Sequence, residues 1–223
     1  LERKEIHLDN EGIRELVEDQ VVLVTGAAGS IGSELCRQLL LYNPSKLIML
    51  DINENGLYDF QTEFNIHKRK GKHPTTDLVV YLTSIRDYQS LNHVFIDESP
   101  TVVFHAAAHK HVPLIEAVPA EAIKNNIFGT HNLINIAIEF DVKVFVSIST
   151  DKAVNPTNVM GATKRFVEKM IQAFGQESNT KFVSVRFGNV LGSNGSVVPL
   201  FKRQIEKGGP ITVTHKDITR YFM

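Results

Sequence analysis

Tryptophan is absent from this 223-residue chain, and cysteine occurs once, as Cys36. A lone cysteine excludes an internal disulfide framework and a four-cysteine zinc site, and it fits a reducing compartment. Excess charge is lacking too: 24 Lys plus Arg stand against 25 Asp plus Glu, a formal net charge of −1. No global field therefore draws the chain to nucleic acid or to an acidic membrane. No apolar run approaches the ~18 residues of a membrane span, and the front end has no signal-peptide core. Internal repeats, low-complexity tracts and long linkers are missing as well. What is present is 43% hydrophobic and 22% charged residues, the balance of a folded globular chain with one sizeable core. We expect a soluble, cytoplasmic piece of a longer protein. It opens on Leu1 rather than methionine and stops at Met223, just after a segment from Asp217 to Phe222 that reads as the start of an element.

Short apolar runs alternate with amphipathic stretches, the rhythm of βαβ units and a parallel sheet. Strands are expected at Val21 to Val24, Leu47 to Leu50, Leu78 to Leu82, Val102 to Phe104, Val144 to Ile148 and Phe182 to Val185. All are apolar on both faces, as a sheet covered by helices requires. Helical patterns fall at Ile31 to Tyr42, Leu57 to His67, Tyr88 to Ile96, Leu114 to Phe140, Val159 to Phe174 and Val198 to Lys207. Residues 1–19 form a polar, helix-like lead-in. Past Val190 the alternation gives way to a Gly192–Ser196 loop.

Directly after the first strand stand Gly26, Gly29 and Gly32, with Ser30 and Ile31 opening the following helix. Glycines there permit a tight turn, close approach of backbone to a pyrophosphate, and close packing of helix on strand. The N–H groups at the helix start would face the anion. A glycine trio alone is equally an ordinary strand-to-helix turn. Asp51, ending the second strand, adds the carboxylate that accepts hydrogen bonds from the adenosine ribose hydroxyls and repels a 2′-phosphate. The expected fold class is therefore α/β, a Rossmann-like doubly wound parallel sheet with helices on both faces, and the expected cofactor is NAD rather than NADP.

Three other features read as structural. His109 and His111 are too few to hold a metal, so no metal site is expected. The basic run from His67 to His73 is a solvated loop rather than a nucleic-acid surface. Cys36, among Leu35, Leu39 and Leu40, is a packed thiol.

The spacing of Gly26, Gly29 and Gly32 resembles that of the extended branch of the short-chain dehydrogenase/reductase superfamily, and the likeness runs from Val21 onward. The resemblance implies that Ser84 and Ile85 meet the adenine, although an aspartate is usual where Ser84 stands. It implies that Ala106, Ala107 and Lys110 line the cofactor and that Asn126 anchors the middle of the long fourth helix. The branch also carries a Tyr-x-x-x-Lys pair. Here Lys164 is in place, but Met160 takes the tyrosine position, and a thioether carries no proton at neutral pH. Another group must handle the proton of the hydroxyl being oxidised.

Thr150, Asp151 and Lys152 end the fifth strand, where open α/β sheets bind ligands. This segment resembles the UDP-N-acetylglucosamine 4,6-dehydratases of the capsular-polysaccharide type, in which Thr-Asp-Lys is the catalytic motif. The resemblance implies removal of hydride from the sugar's C4, loss of the C5 proton to a base, protonation of the departing C6 hydroxyl by an acid, and return of the hydride to C6. Asp151 is then the acid, Lys152 the base, and Thr150 the hydrogen-bond partner of the C4 oxygen. A lysine acts as a base only where desolvation or a nearby cation, such as Lys164, favours its neutral form. Neighbouring residues of an extended strand point to opposite faces, so Asp151 and Lys152 converge only if the chain turns, as Pro156 suggests.

For the nucleotide sugar, the resemblance assigns Asn189 to the pyrophosphate, Ser196, Val197, Val198 and Pro199 to a wall against the nucleotide, and Arg220 to a phosphate. The resulting division is a lead-in over 1–19, an NAD-binding domain over 20–190 and part of a substrate-binding region over 191–223. The expected partners are a UDP-sugar and a second copy of the chain. Relatives of this type often carry membrane helices ahead of the catalytic part. The alternatives are a UDP-hexose 4-epimerase, which needs no acid and base for C5 and C6, and a regulatory domain that binds NAD without turnover.

Overall fold

The computed structural model describes residues 9–73, 75–193 and 197–213. After α1 (Asn10–Val17) strands and helices alternate: β1 (Val21–Thr25), α2 (Ser30–Leu40), β2 (Lys46–Asp51), α3 (Glu54–Arg69), β3 (Asp77–Leu82), α4 (Tyr88–Glu98) and β4 (Val102–His105). Beyond β4 come α5 (Val112–Ala117), α6 (Pro119–Ala122), a π-helical stretch (Ile123–Gly129) and α7 (Thr130–Glu139). The chain continues with β5 (Val144–Thr150), one turn of 3-10 helix (Asp151–Ala153), α8 (Val159–Glu177), β6 (Lys181–Phe187) and α9 (Val197–Glu206).

All strand pairs are parallel, in the order β3-β2-β1-β4-β5-β6. This is the Rossmann-like doubly wound sheet, whose strand order reverses between β1 and β4 and opens a crevice at the carboxyl edge. Thr25 lies opposite His105, and His105 opposite Ser147, so the ends of β1, β4 and β5 line that edge together.

The period-two alternation of a strand explains the two-sided core. Val22, Val24, Leu47 and Met49 face Val17, Cys36, Leu39, Phe60 and Phe64 from α1, α2 and α3. On the other face Leu23, Ile48, Val103 and Phe145 meet Leu91, Phe95, Leu133, Ile134, Val167 and Ile171 from α4, α7 and α8. Full burial of each such side chain contributes about 1.5–3 kcal/mol. Cys36 is fully buried, and burial pushes its thiol pKa far up, leaving an inert packing group.

Two expectations need correction. The stretch from Leu114 to Phe140 is not one helix: Pro119 bars the α conformation at Val118, which sits at φ −136 and ψ 64, and the chain restarts as α6 and a π-helical stretch. The edge strands β3 and β6 are half-covered rather than buried on both faces, because among the described residues each has a strand neighbour on one side only. The helix-like lead-in does hold a helix, α1, which buries Val17 in the core.

Candidate active site

The loop after β1 is shaped by what its glycines leave out. Gly26 has φ +69, and a Cβ there would lie 2.5 Å from the backbone nitrogen of Ala107. A Cβ on Gly32 would lie 2.0 Å from the carbonyl oxygen of Gly26. The loop is thus pressed between the β4 exit and the first turn of α2. α3, α4 and α8 begin with Asn53, Asp87 and Asn158, whose side chains accept from backbone N–H groups, whereas α2 begins at Gly29 with no side-chain cap. Asp51 completes the cradle. Its Oδ2 accepts from Ala28 N at 2.9 Å and its Oδ1 from Asn53 N at 2.9 Å, which fixes the carboxylate beside the loop while each oxygen keeps a lone pair. An uncapped helix start for an anion and a fixed carboxylate for a diol form a donor and acceptor set that fits a dinucleotide.

The β4 side of the crevice is held by two polar columns. His105, fully buried, bridges Thr25 Oγ1 at 2.7 Å through Nδ1 and Thr130 Oγ1 at 2.8 Å through Nε2. Thr130 spends its only proton on the Asn126 carbonyl, so Nε2 donates to Thr130 and Nδ1 accepts from Thr25. Burial, with the nearby Lys164 charge, pushes the His105 pKa down to about 3 and keeps the ring neutral. Asn126, in the π-helical stretch, accepts from His109 N at 2.8 Å and donates to His109 O at 3.0 Å and to Thr163 Oγ1 at 3.1 Å. It therefore staples the Ala106–Lys110 loop to α8. Lys110 is exposed. Ser84 Oγ accepts from Arg86 N, and Ile85 turns its side chain into the core, where Gly129 makes room for it.

At the end of β5 the chain turns at once into 3-10 helix, and Asp151 and Lys152 come to the same side. Lys152 Nζ lies 3.0 Å from Asp151 Oδ1 and 3.3 Å from Asn189 Oδ1, and Thr150 Oγ1 donates to Asp151 Oδ1 at 2.8 Å. Partial burial raises the Asp151 pKa, but the bonds from Lys152 and Thr150 outweigh it and hold the carboxyl below its usual range, hence ionised. Lys164 Nζ donates to the Ile148 carbonyl at 2.9 Å. Its burial lowers its pKa to about 8 against the opposing pull of Glu168. Met160 packs with Ile115 and Ala122.

Ser149, Glu168 and Arg186 join the site from below, and sequence reasoning missed them. Glu168 Oε1 accepts from Ser149 Oγ at 2.7 Å and from Arg186 Nε at 2.6 Å, and Oε2 accepts from Arg186 Nη2 at 2.6 Å. Lys164 and Glu168 thus grip successive residues of β5 immediately before Thr150. The signal was a carboxylate one turn after Lys164 on the buried face of α8, which also carries Met160, Val167 and Ile171. Val197, Val198 and Pro199 open α9, half-buried. Ser196 and Arg220 lie outside the described residues. Among the described residues no helix is long and apolar enough to cross a membrane.

The sequence pattern of a family described as Polysaccharide biosynthesis protein matches residues 22–223. The chain is 54% identical to the probable polysaccharide biosynthesis protein EpsC of Bacillus subtilis and 51% identical to the capsular polysaccharide biosynthesis protein CapD of Staphylococcus aureus. Both alignments take in 100% of the chain and 37% of the relative, so the chain spans little more than a third of their length. A UDP-N-acetylglucosamine 4,6-dehydratase (inverting) of Campylobacter jejuni is 36% identical over 91% of the chain and 59% of that protein. Among solved structures, Pen from Bacillus thuringiensis superposes with a TM-score of 0.84 at 38% identity, covering 92% of this chain and 63% of that one. The UDP-glucose 4-epimerase of Thermus thermophilus, solved with NAD, gives 0.73 at 25% identity over 90% and 69%.

Proposed function

Because the chain belongs to the polysaccharide biosynthesis protein family, we propose that it forms the nucleotide-binding and catalytic part of an NAD-dependent 4,6-dehydratase. Its substrate is UDP-N-acetylglucosamine and its product a 4-keto-6-deoxy sugar nucleotide for a capsular or other surface polysaccharide. The observation that carries this reading is the turn after β5, which sets a carboxyl and an amine 3.0 Å apart at the carboxyl edge of the sheet.

Gly26 to Gly32 and the start of α2 would hold the pyrophosphate of NAD, with Asp51 on the adenosine ribose. Bound there, the dinucleotide supplies the redox chemistry of taking a hydride from C4 and returning it to C6. Lys164, Ala106, Ala107 and Lys110 border its place, and Asn126 positions that border. Thr150 binds the C4 oxygen, Lys152 removes the C5 proton, and Asp151, once it has taken up a proton, passes it to the departing C6 hydroxyl. Asn189, already bonded to Lys152, connects this centre to the nucleotide side, where Val197, Val198 and Pro199 form the wall.

An epimerase acting at C4 alone has no use for an acid and a base directed at C5 and C6, so the Asp151–Lys152 pair favours dehydration. Incubation of the full-length protein with NAD and UDP-N-acetylglucosamine, followed by mass and NMR analysis of the sugar, tests the reading. A keto sugar that has lost one water supports it. A product changed only in configuration at C4 contradicts it.

A further inference from the structure

His105 is titratable, fully buried, and unused by the chemistry above. Its ring stands among three elements: β1 through Thr25, α7 through Thr130, and β5 through Phe145, whose ring centroid lies 6.0 Å away. The hydrogen bonds run one way. Thr25 Oγ1 donates to Nδ1, Nε2 donates to Thr130 Oγ1, and Thr130 Oγ1 donates to the Asn126 carbonyl at 2.6 Å. A chain that ends on an amide carbonyl exports no proton, so it works as a brace rather than a relay. Aligned in this way in a dry interior, its members polarise and strengthen one another. The π-helical stretch makes the last contact possible: the Thr130 N–H bonds the Ile127 carbonyl, which leaves the Asn126 carbonyl to the Thr130 hydroxyl.

Both ends of this brace meet the dinucleotide cradle. Thr25 precedes Gly26, whose close approach to Ala107 presses the glycine loop onto the β4 exit, and Ala106 N donates to the Thr25 carbonyl at 3.0 Å. At the other end Asn126 grips the His109 backbone through both atoms of its amide and donates to Thr163 on α8, one residue before Lys164. Thr163 in turn donates to the Met160 carbonyl at 2.8 Å. One imidazole thereby sets the spacing of the glycine loop, the Ala106–Lys110 loop and the start of α8.

We propose that His105, held as the Nε2–H tautomer, is a positioning residue for hydride transfer: bracing Thr25 against Thr130 and Asn126, it fixes the floor on which the nicotinamide end of the dinucleotide meets the sugar. Being fully buried, it acts through these neighbours rather than by contact. The proposal rests on the reading of a dinucleotide in the crevice, which dehydration and epimerisation share. It adds to that reading a residue remote from the turn after β5. Displacement of a reacting group by about 1 Å from a distant change costs up to about 100-fold in rate, so a brace of this kind is read most directly in the hydride step.

The test compares full-length wild type with His105→Phe, which keeps the bulk of the ring but neither bond, with His105→Gln, whose amide keeps a donor and an acceptor, and with Thr130→Val, which cuts the brace outside the ring. Four quantities are measured: thermal unfolding, amide hydrogen exchange of the NAD-free protein, affinity for NAD and for UDP-N-acetylglucosamine by calorimetry, and nicotinamide reduction after rapid mixing. Melting temperatures fall in His105→Phe and Thr130→Val because buried hydroxyls and the Asn126 carbonyl lose partners. Exchange at His109, whose amide bonds Asn126, rises about 10-fold more than in β2 and β3. Reduction at saturating NAD and sugar slows by about 10-fold or more, sugar-nucleotide affinity stays within about 3-fold, and His105→Gln recovers most of the rate. The double variant His105→Phe, Thr130→Val is no slower than the slower single one, since both cut one brace. Wild-type reduction rates in folded His105→Phe and Thr130→Val, with only the melting temperature lowered, overturn the proposal; should His105→Phe not fold, Thr130→Val decides it. A wild-type protein that reduces its nicotinamide but leaves the sugar's C6 oxygen in place overturns the dehydratase reading and not the brace. One that never reduces it overturns both.

Discussion

The hydroxyl of Ser149 donates to Glu168 Oε1 at 2.7 Å, and this contact ties α8 to the strand residue that precedes Thr150. Arg186 on β6 bonds the same carboxylate, so one buried group fixes both strands whose ends carry the proposed chemistry. Those hydrogen bonds from Arg186, opposed by burial, pull the Glu168 pKa down to about 2. A carboxyl with a depressed folded-state pKa contributes stability that is complete above its unfolded value and lost as pH falls toward the folded one. The contribution of Glu168 is therefore expected to fade between about pH 4.3 and pH 2. Glu168→Gln removes the charge: we expect a melting temperature lower by about 3–8 °C at neutral pH and a flatter acid limb in urea melts.

His105 predicts a second, separate acid dependence. Its folded-state pKa of about 3 lies below the unfolded value, so the unfolded chain binds the proton first as pH falls. Stability is full above about pH 6.5 and declines toward pH 3 with a slope of up to about 1.4 kcal/mol per unit. The charge of Lys164, which also disfavours the imidazolium, reinforces the sign. Urea midpoints measured from pH 7 to pH 4 are expected to drop in the wild type and to drop less in His105→Gln.

Gly32→Ala sets two effects against each other. Alanine is the better helix former by about 1 kcal/mol. Its Cβ would meet the Gly26 carbonyl at 2.0 Å, a backbone contact that only movement of α2 away from β1 relieves. Overpacking of this kind costs about 1–3 kcal/mol, so a net loss of stability and weaker NAD binding are expected in thermal unfolding and fluorescence titration.

Asp51→Ala is expected to weaken NAD binding by about 10-fold or more, through loss of charge-assisted hydrogen bonds to the ribose and of the tie to Ala28 N. Discrimination against NADP narrows at the same time, because the repulsion of the 2′-phosphate is gone. Parallel titrations with both dinucleotides measure the ratio.

The strands were legible because a sheet covered on both faces demands apolar runs, and β1, β2 and β4 are apolar but for their ends, while β5 opens on Val144, Phe145 and Val146. The crevice was legible from position alone, since Gly26 directly follows β1, Asp51 closes β2 and Thr150 closes β5. The break at Val118 was hidden by apolar periodicity that continues through Pro119 on both sides. The polar columns were illegible for another reason. Thr25 and His105 are 80 residues apart, and Asn126 and Thr163 are 37 apart. Each looks ordinary until the sheet order brings its partner alongside. Glu168 carried a local sign, a carboxylate on a core-facing stripe, but its partners Ser149 and Arg186 arrive from two other elements.

The central claim is that a base and an acid act on adjacent carbons of one sugar. The most direct measurement is product analysis after turnover of UDP-N-acetylglucosamine by the full-length protein in deuterated water. The account predicts a keto sugar lacking the C6 oxygen and carrying solvent deuterium at C5, with both features lost in Asp151→Asn and Lys152→Ala. A product that keeps its C6 oxygen and its original C5 hydrogen contradicts it.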